Sequence, residues 1–388
     1  MAAPSDAITA LLSAAAVRER AHEMLALALA GKIEGWRVDL DRLEAAADLT
    51  AQVTREAYPT LAIPFHARWR HFVAGEPALP GTGAERARAA FDLVILSVLL
   101  DAGTGPGWRY RDPVTGGTFA RSEGLAVASQ RMVEAGALDD LIGLDTATLA
   151  RGFQVGPDNP LAGLEGRAAL LRRLGAQARA RPDLFGAEGR PGGLYDALAA
   201  RAEGGRLPAP SILALLLEAL GPIWADRLTL EGVPLGDCWR HPAIRRDDAS
   251  DGLVPLHKLS QWLAYSLIEP LEASGIHVTD IDGLTGLAEY RNGGLFVDLG
   301  VLVPTAADAA TREHEASDPF IVAWRAMTVA LLDRLAPLVR QRLGVSEADF
   351  PLARMLEGGS WAAGRRAAAA LRPGGGPPFT ILSDGTIF

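Results

Sequence analysis

Along most of the chain, apolar residues recur with the three-to-four-residue spacing of helices that bury one face. Leu11, Ala14, Ala15 and Arg18 lead into a run through Met24, Leu27 and Leu29, with Gly31 placed to stop it. The same period predicts helices over 84–102, 121–136, 145–152, 162–181, 209–220, 255–273 and 317–343. Between them Gly and Pro cluster at Pro80-Gly81, Gly103–Gly107, Gly186–Gly193 and Pro373–Pro378, which mark loops. Strand signals are sparse: Leu295–Val303 is one candidate, and Phe379–Phe388 reads as a small hairpin around Asp384-Gly385. No fixed-period repeat and no long linker interrupts the pattern. The expectation is a mainly α, helical protein with a minor β element, forming one domain over 1–388, with any boundary between lobes near 186–193.

Composition narrows the class. The 388 residues carry 38 Lys+Arg against 47 Asp+Glu, a net charge of −9, which disfavours a general nucleic-acid partner because displacing counterions needs a basic surface. The apolar fraction of 49% excludes wholesale disorder. The most apolar stretches, Phe91–Leu100 and Ile212–Trp224, are too short or too interrupted, by Glu218 and Pro222, to span a bilayer. The N-terminus lacks the basic segment of a signal peptide and reads as an amphipathic helix. A soluble, cytoplasmic protein without membrane association is expected, and no feature fixes an oligomeric state. Cys238 is the sole cysteine, so neither a disulfide framework nor a cysteine zinc site is available.

Familiar catalytic signatures are missing. Gly103–Gly107 follows an apolar run, but its spacing is wrong for a dinucleotide loop, and Trp108–Pro113 follows where a helix should open onto a pyrophosphate. His66 and His71, five apart, do not share a helical face as a zinc pair would. There is no phosphate-binding Walker loop, no Gly-x-Ser-x-Gly elbow, and no partner motif for Cys238.

Three segments are richer. Arg68-Trp69-Arg70-His71-Phe72 interleaves cations with aromatics. It suits either recognition of a phosphate or carboxylate, or an Arg-rich turn whose rings enter the core. In the second, Trp108–Asp112 precedes Arg121–Leu125; Ser122 is placed to cap the following helix and Glu123 to sit at its positive end. Trp239 and His241, next to the lone cysteine, are further candidates for a cavity wall.

The third is Leu256–Ile268. Pro255 suits a first helical turn, and Leu256, Leu259, Leu263 and Leu267 form an apolar stripe. Lys258, Gln261 and Tyr265 share the adjoining flank beside His257, as in a helix lining a cavity or one whose lysine snorkels at a core edge. Lysine is rare: only Lys32 and Lys258 occur, and the other 36 basic residues are arginine. An ammonium can be tuned by burial where a guanidinium cannot. Downstream, Asp282 reads as the N-cap and Gly293 as the C-cap of a short helix. Glu289 then falls at the unfavourable, negative pole, a placement explained only if Lys258 or Arg291 neutralises it. A carboxylate and a lysine in a concave site are equipment for hydrolysis of a glycosidic or amide bond.

Arg68–Phe72, Asp101-Ala102-Gly103, Trp108–Asp112, Arg121–Ala126, Arg151–Gln154, Asn159–Leu161, Gly163–Gly175 and Leu256–Leu263 together resemble the uracil-catabolism protein 4 family of fungi and bacteria. The resemblance covers nearly the whole chain. It implies a part in a pyrimidine-degradation route that makes the uracil nucleotide, opens its ring and releases urea.

A more distant likeness supplies a chemistry. Lys258 with Gln261, then Asp280–Asp282 and Leu284-Thr285 through Glu289-Tyr290-Arg291, is similar to the queuosine nucleotide glycosidase family. That family's lysine falls on Lys258, its aspartate on Glu289 and its Tyr-Arg on Tyr290-Arg291. Here the acid is Glu rather than Asp, and its separation from Lys258 is one residue shorter. Members are helical and similar to helix-hairpin-helix DNA glycosylases, which implies such a fold here.

The two resemblances together imply an N-ribosyl hydrolase acting on a ring-opened uracil ribonucleotide or ribosylurea. Its expected partner is a small-molecule ribosyl-ureido substrate. Glu289 and Lys258 are the expected catalytic pair. The expected substrate-binding set is Tyr290, Arg291, Gln261, His257, Asp282, Arg68, Arg70, His71, Trp108, Glu123 and Trp239, with the 68–71 cations toward a 5′-phosphate and Trp108 and Trp239 as walls. The scheme requires no cofactor and no metal. The alternatives are an amidohydrolase or deaminase acting on the ureido group, and a non-catalytic ligand-binding protein of the same route.

Overall fold

In the computed structural model, residues 5–72, 77–105, 107–224 and 227–382 are described. They form a mainly helical protein with small two-stranded pairings. The chain divides into two compact units. The first comprises residues 5–66, 227–261 and 280–382, and the second 67–224 and 262–279. The division passes through the helix Lys258–Ala273, after Gln261, and the Gly186–Gly193 loop lies within the second unit.

The first unit is organised on the helix Pro319–Leu343. Asp318 caps its start by accepting from the Phe320 N–H at 2.9 Å, and Gly344 ends it at φ 72°, a left-handed angle that suits glycine. Every residue from Phe320 to Leu332 is buried, so this is a core helix with no solvent face over that span. The helices Ala14–Leu29 and Leu43–Ala57 pack along it. Trp36 stacks on Phe320 at 4.4 Å, and Phe379 meets Trp324 edge-on at 4.9 Å. Short pairings pin the loops: Trp36–Val38 runs antiparallel to Leu302–Pro304, and Cys238–Arg240 antiparallel to Leu253–Pro255.

The second unit is built around the helix Gly83–Leu99, whose Phe91, Val94, Ile95 and Val98 are fully buried. The helices Arg121–Glu134 and Leu164–Ala180 pack against it. The hairpin Arg109–Arg111/Thr118–Ala120 precedes the first of these, and Arg206–Pro208 pairs in parallel with His277–Thr279.

Most predicted helices are present within a few residues of their expected ends. Several local expectations are corrected. Leu295–Val303 is not a strand: the helix Tyr290–Asp298 runs through it, and only Leu302–Pro304 is extended. Pro255 closes a strand instead of opening a helix. Thr380–Ile381 pairs in parallel with Glu313–His314, whereas residues 383–388, including the turn expected at Asp384-Gly385, lie outside the described residues. Ser122 sits in the first turn of the helix Arg121–Glu134, not at its cap, because its hydroxyl is taken by Asp101. The longest helices that the periodicity does not predict are Leu43–Ala57 and Trp361–Leu371. Their buried faces consist largely of Ala, Gly and Thr, so few large apolar side chains mark them.

Candidate active site

The first unit gathers the most chemistry around Glu289. This residue does not end a helix; it begins one. It is the N-cap of Tyr290–Asp298, and its carboxylate accepts the backbone N–H of Arg291 at 2.7 Å and of Asn292 at 2.5 Å. The sequence reading is therefore reversed: the negative charge lies at the positive pole of the helix, where it is stabilised. Gly293 is no stop either. It is buried inside the helix because the Trp324 ring packs on it, and a β-carbon there would come within 2.7 Å of that ring. Burial raises the Glu289 pKa above the ordinary carboxylate value. The two N–H groups and the charges of Lys258 and His66 act against that rise.

Asp237 and Arg325 brace this region. Arg325, whose side chain is 3% exposed, donates to both carboxylate oxygens of Asp237 at 2.8 Å each, and its Nε reaches the Ala288 carbonyl at 3.2 Å, next to Glu289. Asp237 also accepts the Trp239 indole N–H at 2.6 Å and the backbone N–H of Lys258 at 2.9 Å. Burial opposes its ionisation. The Arg325 charge and these hydrogen bonds outweigh burial and hold the carboxyl well below the usual range. One carboxylate thus fixes both the loop before Glu289, through Arg325, and the backbone at Lys258. Gln261, fully buried, clamps the other side: its Oε1 accepts the Thr285 N–H at 2.9 Å and its amide meets the Thr285 hydroxyl.

A further pair was not foreseen. His66, 8% exposed, places Nδ1 2.7 Å from Glu357 Oε2, and the Tyr58 hydroxyl lies 3.4 Å from Glu357 Oε1. Glu357 stands on a turn of π-helix, Leu356–Ser360, a rare conformation that recurs at functional sites. The same turn sends the Ser360 hydroxyl to Asn292 Oδ1 at 2.8 Å, tying it to a residue whose N–H Glu289 caps. No motif marked this pair in the sequence, because its members are separated by 291 positions.

The remaining candidates of this unit are placed as follows. Arg291 is buried, donates to the Gly375 carbonyl at 2.6 Å and lies over the Tyr290 ring at 4.9 Å. Trp239 is partly exposed, with Arg227 over its ring at 5.5 Å. His257 is buried, its pKa pushed down by burial, with Nε2 on the Leu11 carbonyl at 2.9 Å. Asp282 is engaged by Arg340 at 2.8 Å and by the Leu352 N–H at 2.7 Å; it does not cap a helix through its side chain. Cys238 is buried, with its thiol pushed up to about 12, as expected of an inert site. Among the described residues, no group of three His, Cys, Asp or Glu side chains is placed to hold a metal.

The second unit assembles its own polar cluster. Arg68 is fully buried; its Nη1 lies 3.2 Å from Asp101 and 3.0 Å from the Ser122 hydroxyl, and its Nε donates to Ser97 at 2.7 Å. His71 Nδ1 meets the same Ser122 hydroxyl at 2.9 Å. Glu123 adds an electrostatic contribution to Arg68. Arg70 instead chelates Glu269 at 2.5 Å. Trp108 is fully buried and donates to the Phe153 carbonyl at 2.9 Å. Arg68 and Arg70 thus already face carboxylates, and Trp108 is built into the core.

These observations define a mainly helical protein with a helix-capping carboxylate opposed by lysine and histidine. The chain belongs to the family described as "Protein of unknown function (DUF1688)", whose model matches residues 10–388. "Protein urg3" of Schizosaccharomyces pombe is 39% identical, over 99% of this chain and 100% of its own. "Uracil catabolism protein 4" of Lachancea kluyveri is 37% identical, over 92% of this chain and 93% of its own. Among the described residues, no helix is long and apolar enough to cross a membrane.

Proposed function

We propose that this chain is an N-ribosyl hydrolase of uracil catabolism, cleaving the N-glycosidic bond of a ring-opened uracil ribonucleotide, ribosylurea or its 5′-phosphate. The products are the sugar and urea or a ureido acid. The observation that carries the reading is the Glu289 carboxylate, fixed by two backbone N–H groups and subject to the charges of Lys258 and His66. Breaking a C1′–N bond builds positive charge on the sugar, and an ionised carboxylate held in place stabilises that charge without reorganising. In this reading Glu289 stabilises the oxocarbenium ion and takes a proton from the attacking water. The Lys258 charge favours its ionised form, Tyr290 and Trp239 supply walls, and Gln261, Arg291 and Asp237 hold the backbone that presents it.

The runner-up, an amidohydrolase acting on the ureido group, needs a metal-holding cluster or an activated thiol. The described residues offer no such cluster, and Cys238 is buried with a raised pKa. Incubation of EDTA-treated protein with ribosylurea and with its 5′-phosphate tests the choice. Release of sugar and urea supports the glycosidase; release of ammonia supports the runner-up. Binding without turnover, unchanged in Glu289→Gln, makes the protein a binding module.

The charge relation also predicts a pH effect. Activity that needs ionised Glu289 falls as pH drops through its pKa, so the acidic limb of kcat/KM lies above the ordinary carboxylate range. Lys258 opposes the rise, so Lys258→Gln moves that limb to higher pH. Lys258→Arg keeps the charge but replaces a compact ammonium by a planar fork, and is expected to lower kcat/KM by about tenfold or more. An unmoved acidic limb in Lys258→Gln contradicts this pairing.

A further inference from the structure

We infer that His66 is the general acid that protonates the departing nitrogen, positioned by Glu357 from the π-helical turn Leu356–Ser360. The inference rests on the glycosidic reading above and extends it to the half of the reaction that Glu289 does not serve. Urea is a poor leaving group as an anion, so cleavage of its bond to C1′ needs a proton delivered to nitrogen as the bond breaks. A carboxylate that must stay ionised cannot be that donor. In this reading Glu289 acts in its ionised form, which the charge of Lys258 favours against burial.

His66 has the equipment. Its Nδ1 is held 2.7 Å from Glu357 Oε2, which fixes the ring, and the transferred proton is assigned to Nε2. The side chains are 10% and 15% exposed, so the pair lies in a largely dry setting. The His66 backbone N–H is tied to the Ala353 carbonyl at 3.0 Å. The turn carrying Glu357 is also bound to the Glu289 cap through Ser360 and Asn292 at 2.8 Å. Two glycines let that turn seat: a β-carbon on Gly359 would come within 2.5 Å of Thr54 Oγ1, and one on Gly358 within 2.8 Å of Ile63 Cδ1. The helix Leu43–Ala57 and the loop leading to His66 are therefore packed directly against the turn that presents Glu357. The charge of His66 also acts on Glu289.

The step balances. The C1′–N bond breaks with its electron pair going to nitrogen, and the His66 Nε2 proton is transferred there, releasing neutral urea. Water adds to C1′ and gives a proton to Glu289; return of that proton through solvent to His66 resets the site.

The test compares wild type, His66→Gln and Glu357→Gln on ribosylurea and on a ribosyl fluoride. Fluoride is smaller than urea and departs without a full proton transfer. With circular dichroism confirming folded protein, His66→Gln should lose about 10²–10⁴-fold on ribosylurea and at least tenfold less on the fluoride. Glu357→Gln should show the same selectivity with a smaller loss, and it decides the matter alone if His66→Gln does not fold. Equal losses on both substrates overturn the assignment. If wild type turns over the fluoride but not ribosylurea, His66 is not acting as this acid. If wild type turns over neither, the glycosidic reading itself has failed.

Discussion

Glu289→Gln should lower kcat/KM for ribosylurea by about 10³-fold or more, while the protein melts within a few degrees of wild type. The large loss follows from removing the one ionised oxygen pair held by the Arg291 and Asn292 N–H groups. The small structural effect follows from the cap. A glutamine carbonyl still accepts one of those N–H groups, and complete loss of an N-cap costs only about 1 kcal/mol. Linkage adds a sign. Burial raises the folded-state pKa of Glu289 above its unfolded value, so its ionisation costs stability above that range and nothing well below it. The variant removes this cost, so any stability gain appears at neutral pH and vanishes in acid. Steady-state kinetics and thermal melts at two pH values separate the effects. Loss of activity through unfolding contradicts the assignment.

Arg325→Met should be the most destabilising single change among these residues, by about 3 kcal/mol at neutral pH. It strips the Asp237 carboxylate of its bidentate partner while the charge stays largely removed from water, and it also frees the Ala288 carbonyl. In wild type the folded-state pKa of Asp237 is depressed, so its contribution is present above the unfolded value of 3.8 and is lost as pH falls through the lower, folded value. In the variant, burial is no longer outweighed, and protonation of Asp237 relieves the penalty. The difference from wild type should therefore shrink toward acid pH. Asp237→Asn combined with Arg325→Met should recover part of the loss, since no charge is then left alone. Denaturant unfolding of the four proteins measures the cycle, and purely additive losses contradict the pairing.

The contrast between sequence and structure follows the physics of each segment. Helices such as Gly83–Leu99 and Pro319–Leu343 were legible because large apolar side chains mark their buried faces. Leu43–Ala57 was not, because its buried face is built mainly from Ala46, Ala47, Ala51, Thr50 and Thr54 in place of large apolar side chains. Around the site the ambiguity was glycine. Gly293 has the residue type of a helix stop, but its reason is the Trp324 ring, a contact contributed from 31 residues away. Reading it as a C-cap placed Glu289 at the wrong helix pole. Lys258 and Glu289 were visible as residues because a rare lysine and an awkward acid stood out. Asp237, Arg325, His66 and Glu357 were not, because each gains its meaning only from a partner distant in the chain. Arg68 shows the converse. Its arginine-rich surroundings suited an anion site, yet Asp101 lies 3.2 Å from its guanidinium.

The central claim is that the bond broken is the one between C1′ and nitrogen, and the fate of the ureido carbon tests it most directly. EDTA-treated protein is incubated with ribosylurea carrying carbon-13 in the carbonyl, and the label is followed by NMR. The account predicts that all of it appears in intact urea, in step with free ribose, and that Glu289→Gln forms neither. Label appearing in bicarbonate, accompanied by ammonia, would contradict it.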